Sequence, residues 1–224
     1  MNPLDREVQM LKNEILEMFE LVQIQLGKSI HAILNHDLEA AKEVLFYEKR
    51  VNIQELKIDR DCERFVALYN PVAMDLRFAF ATFKINSHLE RLGDNAKGIA
   101  RFVRDQKIPY DKNLLEKLRV QEMFNIGYEM TKLNAEAYLN EDSSFAKRVF
   151  ELDFKVDKIN SEATGIIAQY MKENPNHIES CLALISTIRK LERVGDLNLN
   201  IAEEIVFSVE AKILKHSKEL KVKG

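Results

Sequence analysis

Apolar residues recur every three or four positions through nearly the whole chain, and this spacing constrains the fold more than any other sequence feature. Such spacing places apolar side chains along one face of an α-helix. The first stripe comprises Leu4, Val8, Leu11, Ile15, Met18, Val22, Leu26, Ile30 and Ile33. With 7 Gly and 4 Pro in 224 residues, the chain is poor in the turn residues on which sandwiches, barrels and turn-rich α/β folds depend. The pattern therefore predicts an all-α protein.

Breaks in this pattern divide the chain into six long helices. They lie at 35–37, Pro71, 106–111, 140–142 and 174–176. Helices of roughly 25–35 residues joined by short connections become antiparallel neighbours, as in helical bundles. Asp37 is placed to cap the second helix, and we expect the sixth helix to continue to about His216.

The two halves of the chain are copies of each other. Residues 37–44 (DLEAAKEV) match 142–149 (DSSFAKRV), and 89–94 (LERLGD) match 191–196 (LERVGD). We therefore predict a tandem repeat of two antiparallel three-helix bundles. The predicted limits are 1–105 for the first repeat, 106–110 for a connecting loop, 111–216 for the second repeat and 217–224 for a frayed tail.

Charge and composition narrow the class of protein. The chain has 33 basic and 36 acidic side chains, a net charge of -3 and no long Lys/Arg block, which argues against nucleic-acid binding. No apolar run approaches the ~20 residues that a membrane span requires, and the N-terminus does not resemble a secretion signal. Cys62 and Cys181 form no metal-binding or disulfide pattern. We expect a cytoplasmic protein without a membrane span.

Each repeat carries a pair of carboxylates on its last helix. Glu90 and Asp94 are four residues apart, as are Glu192 and Asp196, and this spacing places each pair on one helix face, about 5–6 Å apart. Like charges at this spacing destabilise an isolated helix. Their presence in both repeats therefore indicates a function.

In the second repeat, the preceding helix supplies two more carboxylates at matching heights. Residues equidistant from the turn of an antiparallel hairpin lie level with each other, because each helix rises about 1.5 Å per residue. Around the turn at 174–175, Asp157 is level with Glu192 and Asp153 with Asp196. Such oxygen clusters suit a divalent or trivalent metal ion: iron, manganese or magnesium, with zinc possible.

The first repeat has the same arrangement with one amide. Around Pro71, Asn52 is level with Glu90 and Glu48 with Asp94. The second site has one more possible oxygen ligand, because Asn200 lies on the same helix face one turn after Asp196. The first repeat has Gly98 at the position of Asn200 and Arg101 at the position of Glu203. We expect the second site to bind metal more tightly.

Two alternatives remain open on the residues alone. In the first, the acids lie on solvated helix faces, paired with Arg91, Arg193 and nearby lysines, in a scaffold that binds no metal. Alternatively, the chain is a carboxylate-bridged dimetal oxidase or metal-storage protein of the ferritin-like type. Those sites use a Glu-x-x-His motif, and no Glu in this chain has a His three residues later.

Three segments resemble the signatures of the PhoU family of phosphate-uptake regulators. They are 70–77 (NPVAMDLR), 90–94 (ERLGD) and 192–203 (ERVGDLNLNIAE), and the resemblance extends over the whole chain in length, duplication and motif order. It implies two three-helix bundles side by side in a cytoplasmic homodimer. It also implies a negative regulator of phosphate uptake that contacts the phosphate ABC transporter ATPase and a sensor histidine kinase.

The same resemblance implies metal ions on the E/D-xxx-D motifs. These map onto Glu48, Glu90, Asp94, Asp153, Asp157, Glu192, Asp196 and Asn200. The chain has no recognisable nucleophile triad or phosphate-cradling glycine loop, and we expect no enzymatic activity. Phosphate itself needs a basic pocket rich in donors, and the predicted sites are acidic, so we expect phosphate sensing to be indirect.

Overall fold

The computed structural model describes residues 3–106 and 108–214, and these residues form helices and their connections only. The helices are α1 (Pro3–Asn35), α2 (Leu38–Tyr69), α3 (Ala73–Asp105), α4 (Lys112–Lys117), α5 (Val120–Asn140), α6 (Ser143–Glu173) and α7 (Ile178–Glu210), with a 3₁₀ turn at Pro175–His177. Helices α1, α2 and α3 pack on one another, as do α5, α6 and α7. The predicted all-α tandem repeat of three-helix bundles is confirmed. No helix in the described ranges is both long and apolar enough to cross a membrane.

An aspartate caps the second helix of each repeat. Asp37 Oδ1 accepts hydrogen bonds from the backbone N–H groups of Glu39 and Ala40, both at 3.0 Å. Asp142 Oδ1 accepts one from the backbone N–H of Ser144 at 2.8 Å. These bonds satisfy N–H groups that have no partner within the helix. The predicted cap at Asp37 is therefore confirmed, and the second repeat reproduces it.

The chain between 111 and 140 forms two helices where the sequence pattern predicts one. Arg119 interrupts the helix with left-handed backbone, at φ 52°, and its side chain bonds Glu122 at 2.7 Å. Leu118 and Val120, on either side, are buried. The apolar spacing continues across the break, and Arg119 is not a residue typical of left-handed backbone, so the sequence pattern does not show it.

The last helix is shorter than predicted. It ends at Glu210 rather than near His216, because Ala211 adopts left-handed backbone at φ 57°. Glu210 also accepts a hydrogen bond from Lys147 Nζ at 2.6 Å, which fastens this end to α6. His216 and the predicted frayed tail at 217–224 lie outside the described residues, and the predicted limits of the repeats and of the loop at 106–110 stay predictions.

The two bundles share a buried face, where α3 packs against α7 and α1 against α5. Tyr138 of α5 crosses this face. Its hydroxyl shares a hydrogen bond of 2.8 Å with Thr82 of α3, and its ring stacks on Phe78 with centroids 6.1 Å apart. The packing leaves two seams lined by carboxylates, one between α2 and α3 and one between α6 and α7.

Candidate metal centre

The first seam, between α2 and α3, brings three carboxylates together. Glu48 projects from α2, and Glu90 and Asp94 project from α3. One carboxylate oxygen from each of the three lies within 4.8 Å of the others. Glu48 is 5% exposed, whereas the side chain of Asp94 is half exposed. The arrangement follows from the hairpin around Pro71, and it offers a cation three ligands from two helices.

A lysine and a glutamine hold these carboxylates in place. Lys97 Nζ donates to Glu48 Oε1 at 2.9 Å and to Asp94 Oδ1 at 2.8 Å. Gln25 of α1 is fully buried, and its Nε2 donates to Glu48 Oε2 at 2.9 Å. Asn52, one turn further along α2, donates to Glu48 Oε1 at 3.3 Å when its amide nitrogen faces that carboxylate. The ammonium of Lys97 thus bridges two of the three predicted ligands.

Sequence reasoning missed Gln25 and Lys97. Gln25 had a detectable signal, because it is a polar residue within the apolar stripe between Val22 and Leu26. Lys97 had a weaker one, since its spacing of three residues from Asp94 is compatible with an ordinary surface ion pair. Only the tertiary structure shows that the same ammonium also reaches Glu48.

Glu90 has a raised pKa because it is partly buried and has other acids beside it in the first seam. Burial, together with the charges of Asp94, Glu55 and Glu48, raises the pKa of Glu90 from an ordinary 4.5 to about 7, against the opposing charge of Lys97. Burial also raises the pKa of Glu55, to which the charge of Asp94 contributes. Glu55 lies seven residues after Glu48 on the same face of α2 and is a further acid that sequence reasoning missed.

Asp94 behaves in the opposite way. Burial by itself raises its pKa, but the hydrogen bonds with Lys97 and Glu48 and the charges of Lys97 and Lys190 together outweigh burial and hold the pKa of Asp94 below its ordinary value. The first seam therefore contains one carboxylate that is ionised at neutral pH, next to one that is about half protonated. A divalent cation can replace that proton and the ammonium with a single charge centre.

The second seam, between α6 and α7, contains Asp153, Asp157, Glu192 and Asp196. Asp153 is buried, at 7% exposure. Burial raises the pKa of Glu192, and the charges of Asp196 and then Asp157 raise it further. Asp157 of α6 and Glu192 of α7 are therefore near enough for their charges to interact. Arg193 pairs with Asp196 at 3.3 Å.

The carboxylates of the second seam are less closely grouped than those of the first. Within residues 3–106 and 108–214, a group of three acidic ligands with all oxygens inside 4.8 Å occurs at Glu48, Glu90 and Asp94 and not in this seam. Asn200 follows Asp196 by one turn of α7 and is half-buried. At the position of Lys97, the second repeat has Leu199. The tighter metal binding expected here stays a prediction, and the replacement of the lysine by Leu199 is an argument for it.

A glycine stands beside the carboxylates of each seam and allows the helices to approach. A Cβ at Gly93 would lie 2.6 Å from Gln25 Oε1 and 3.3 Å from a methyl group of Val51. A Cβ at Gly195 would lie 3.3 Å from Asp153 Oδ1. Close helix packing therefore accounts for both glycines, most strongly for Gly93.

Comparison with known proteins places this geometry in context. The sequence model of the PhoU domain matches twice, at residues 15–103 and 120–205. The chain is 32% identical over 219 residues to a phosphate-specific transport system accessory protein PhoU homolog of Aquifex aeolicus, covering 98% of both chains. It is 33% identical over 213 residues to the phosphate-specific transport system accessory protein PhoU of Escherichia coli, covering 94% of this chain and 86% of that protein.

Two solved structures share the fold. The crystal structure of PhoU from Pseudomonas aeruginosa matches with a TM-score of 0.84 at 28% identity, covering 93% of this chain and 99% of that one. The structure of the phosphate transport system regulatory protein PhoU from Streptococcus pneumoniae matches with a TM-score of 0.85 at 26% identity, covering 94% and 99%.

Proposed function

The chain belongs to the PhoU family, and from this premise we propose that it is an accessory protein of a phosphate transport system that restrains phosphate uptake and the phosphate-starvation response. The observation that carries this proposal is the extent of the match. The family model covers both repeats, and the Aquifex relative, named as a transport system accessory protein, aligns over 98% of its length.

We propose that the protein acts as a cytoplasmic, non-catalytic adaptor. Its partners are the ATPase of a phosphate ABC transporter and a sensor histidine kinase, and it works as a homodimer. Long antiparallel helices suit such a role, because they offer extended and rigid surfaces on which a partner can dock. The family resemblance and the relatives' names support this part of the proposal.

We further propose that both seams bind metal ions. Glu48, Glu90 and Asp94 are the ligands in the first seam, and the acids of α6 and α7, with Asn200, are those in the second. The ligands are oxygen atoms, which suit magnesium, manganese or iron, with zinc also possible. Support comes from the convergence of three carboxylates and from the pKa of about 7 at Glu90, which burial and then the charges of Asp94, Glu55 and Glu48 raise. A bound ion joins the two helices of a seam.

A strain that lacks this protein tests the regulatory proposal. We expect the strain to take up phosphate and to express starvation-induced genes even in phosphate-rich medium. The wild-type chain supplied in trans restores control. Affinity capture of the tagged chain from the same cells should recover the transporter ATPase. Normal uptake in the deletion strain, together with no recovery of ATPase or kinase under either phosphate condition, would refute the proposal.

A further inference from the structure

A basic groove separates the two repeats on the side next to the first seam. Its volume is about 490 Å³, within the range of about 300–1,000 Å³ typical of small-molecule sites. Five of its lining side chains are cationic and one, Asp94, is acidic, whereas the whole chain carries a net charge of -3. The cationic residues are Arg91, Lys97 and Arg101 from α3, and Lys190 and Arg193 from α7.

Three of these cations have donors to spare. Lys97 is committed to Glu48 and Asp94, and Arg193 pairs with Asp196. By contrast, no acidic group in the described part of the chain lies within ion-pair distance of the remaining three. These are Arg91, Arg101 and Lys190.

Gly98 gives the groove its shape. A Cβ at this position would overlap Cε and Nζ of Lys190. The absence of a side chain on α3 therefore lets the lysine of α7 lie across the boundary between the repeats. Lys190 and Arg101 consequently meet in one groove although they come from different repeats.

The second repeat does not reproduce this charge pattern. At the positions equivalent to Lys97, Gly98 and Arg101, it has Leu199, Asn200 and Glu203. Two of these differences, at Gly98 and Arg101, are also the ones that leave the first repeat with fewer metal ligands. The basic groove is thus a feature of the first repeat and of its contact with α7.

We propose that this groove binds a small phosphate-bearing anion. Arg guanidinium groups present paired donors that match phosphate oxygens, and Lys supplies a compact charge beside them. No aromatic residue lines the groove, so it offers no ring on which a nucleotide base could stack. Recognition therefore rests on the phosphate groups, and the volume accommodates more than one of them.

This inference deepens the proposed function by naming its ligand class, and it changes one expectation. The acidic seams gave no reason to expect direct phosphate binding. The groove, however, is the basic and donor-rich pocket that such binding needs, and it shares Lys97 and Asp94 with the first seam. The regulatory meaning rests on the proposed function, whereas the binding itself can be measured on the isolated chain.

Isothermal titration calorimetry with inorganic phosphate and with pyrophosphate tests the proposal. The protein is first stripped of metal with a chelator and dialysed, so that no bound ion can capture the anion. We expect pyrophosphate to bind more tightly than phosphate. Arg101→Gln/Lys190→Gln should weaken binding by at least about tenfold, as expected for the loss of charged hydrogen bonds.

Two further variants make this test specific. Arg60→Gln/Lys172→Gln removes the same charge from exposed positions outside the groove and should change affinity by less than about twofold, since distant exposed charges are screened. Gly98→Ala keeps every charge but displaces Lys190, and it should weaken binding several-fold while circular dichroism shows an intact fold.

Three outcomes would overturn the proposal. The first is the absence of binding of either anion at millimolar concentration. The second is an equal loss of binding in the groove variant and the control variant. The third is binding to phosphatidylglycerol vesicles, but not to free phosphate or pyrophosphate, which would assign the groove to a membrane surface. None of these results depends on whether the deletion strain misregulates uptake, so the two proposals can fail separately.

Discussion

The two seams have the same pattern of acidic residues, but they differ in the residue that stands next to the acids. In the first, Glu48, Glu90 and Asp94 converge within 4.8 Å, and the ammonium of Lys97 bridges two of them. In the second, Leu199 occupies the position of that lysine.

The difference teaches that convergence of carboxylates alone does not measure the affinity of a metal site. The first seam holds its ligands closer, but a metal ion entering it must displace Lys97. The second seam offers more acidic side chains and has Leu199 at the position of Lys97, and its Arg193, which pairs with Asp196, is exposed.

Exchange of the residues at the positions of Lys97 and Leu199 should have the largest effect on metal affinity. Lys97→Leu removes the competing ammonium, so metal affinity of the first seam should rise by at least about tenfold, or about 1.4 kcal/mol. Without metal, the variant should lose about 1–3 kcal/mol of stability, because the buried Glu48 carboxylate is left without its cation. Urea unfolding with and without manganese measures both changes.

The reciprocal change, Leu199→Lys, provides the matched control. It should weaken metal binding in the second seam and leave the first unchanged. If both variants shift metal affinity in the same direction, Lys97 is not the source of the asymmetry between the seams.

The second largest expected effect is the change in the free energy of unfolding with pH. Because the pKa of Glu90 is raised to about 7 in the folded state, the folded protein binds more protons than the unfolded chain between about pH 4.5 and 7. Stability without metal should therefore fall as pH rises through this range. Glu90→Gln removes the ionisable group, and at pH 8 we expect it to exceed the wild type by roughly 1 kcal/mol, a value reduced for solvent screening.

Glu192→Gln extends the pH experiment to the second seam. The pKa of Glu192 is raised by the same causes, so its substitution should also stabilise the metal-free protein at alkaline pH. Chemical denaturation at several pH values gives the comparison. A wild-type stability that rises between pH 5 and 8, with no gain from either glutamine, would contradict the assigned proton binding.

The smallest expected effect is the difference in stability between Gly93→Ala and Gly195→Ala. Gly93→Ala places a methyl group against Gln25 Oε1, and the buried Gln25 side chain cannot easily move away because its Nε2 donates to Glu48. The overlap should outweigh the gain in helix propensity of about 1 kcal/mol and leave a net loss of roughly 0.5–1 kcal/mol. Gly195→Ala meets its neighbours at 3.3 Å and should be nearly neutral. Thermal unfolding of the two variants under identical conditions is sufficient, and a larger loss at Gly195 would reverse the packing argument.

Much of the fold and part of the candidate site could be predicted from the sequence, because both follow from helix geometry. A period of three to four residues specifies long helices, and a proline-centred hairpin specifies which residues are level, such as Glu48 and Asp94. These relations depend only on the rise per residue, so they need no tertiary information.

The remaining features depend on rotation and reach, which a one-dimensional pattern does not contain. Lys97 contacts Glu48 because a flexible side chain extends over a neighbouring helix. The basic groove exists because α3 packs on α7, which brings Arg101 and Lys190 from different repeats together. The helix break at Arg119 could not be predicted from the residue type, since arginine does not usually adopt left-handed backbone.

Metal binding by the carboxylate seams is the central claim, and equilibrium dialysis with manganese followed by elemental analysis tests it most directly. The variants are Glu90→Ala/Asp94→Ala, Glu192→Ala/Asp196→Ala and a control, Glu39→Ala/Glu43→Ala, which removes an exposed acidic pair of the same spacing from α2. We predict that each seam variant loses the ions of its own seam, that the second loses the tighter ones, and that the control retains all of them. Unchanged manganese content in both seam variants would contradict the account.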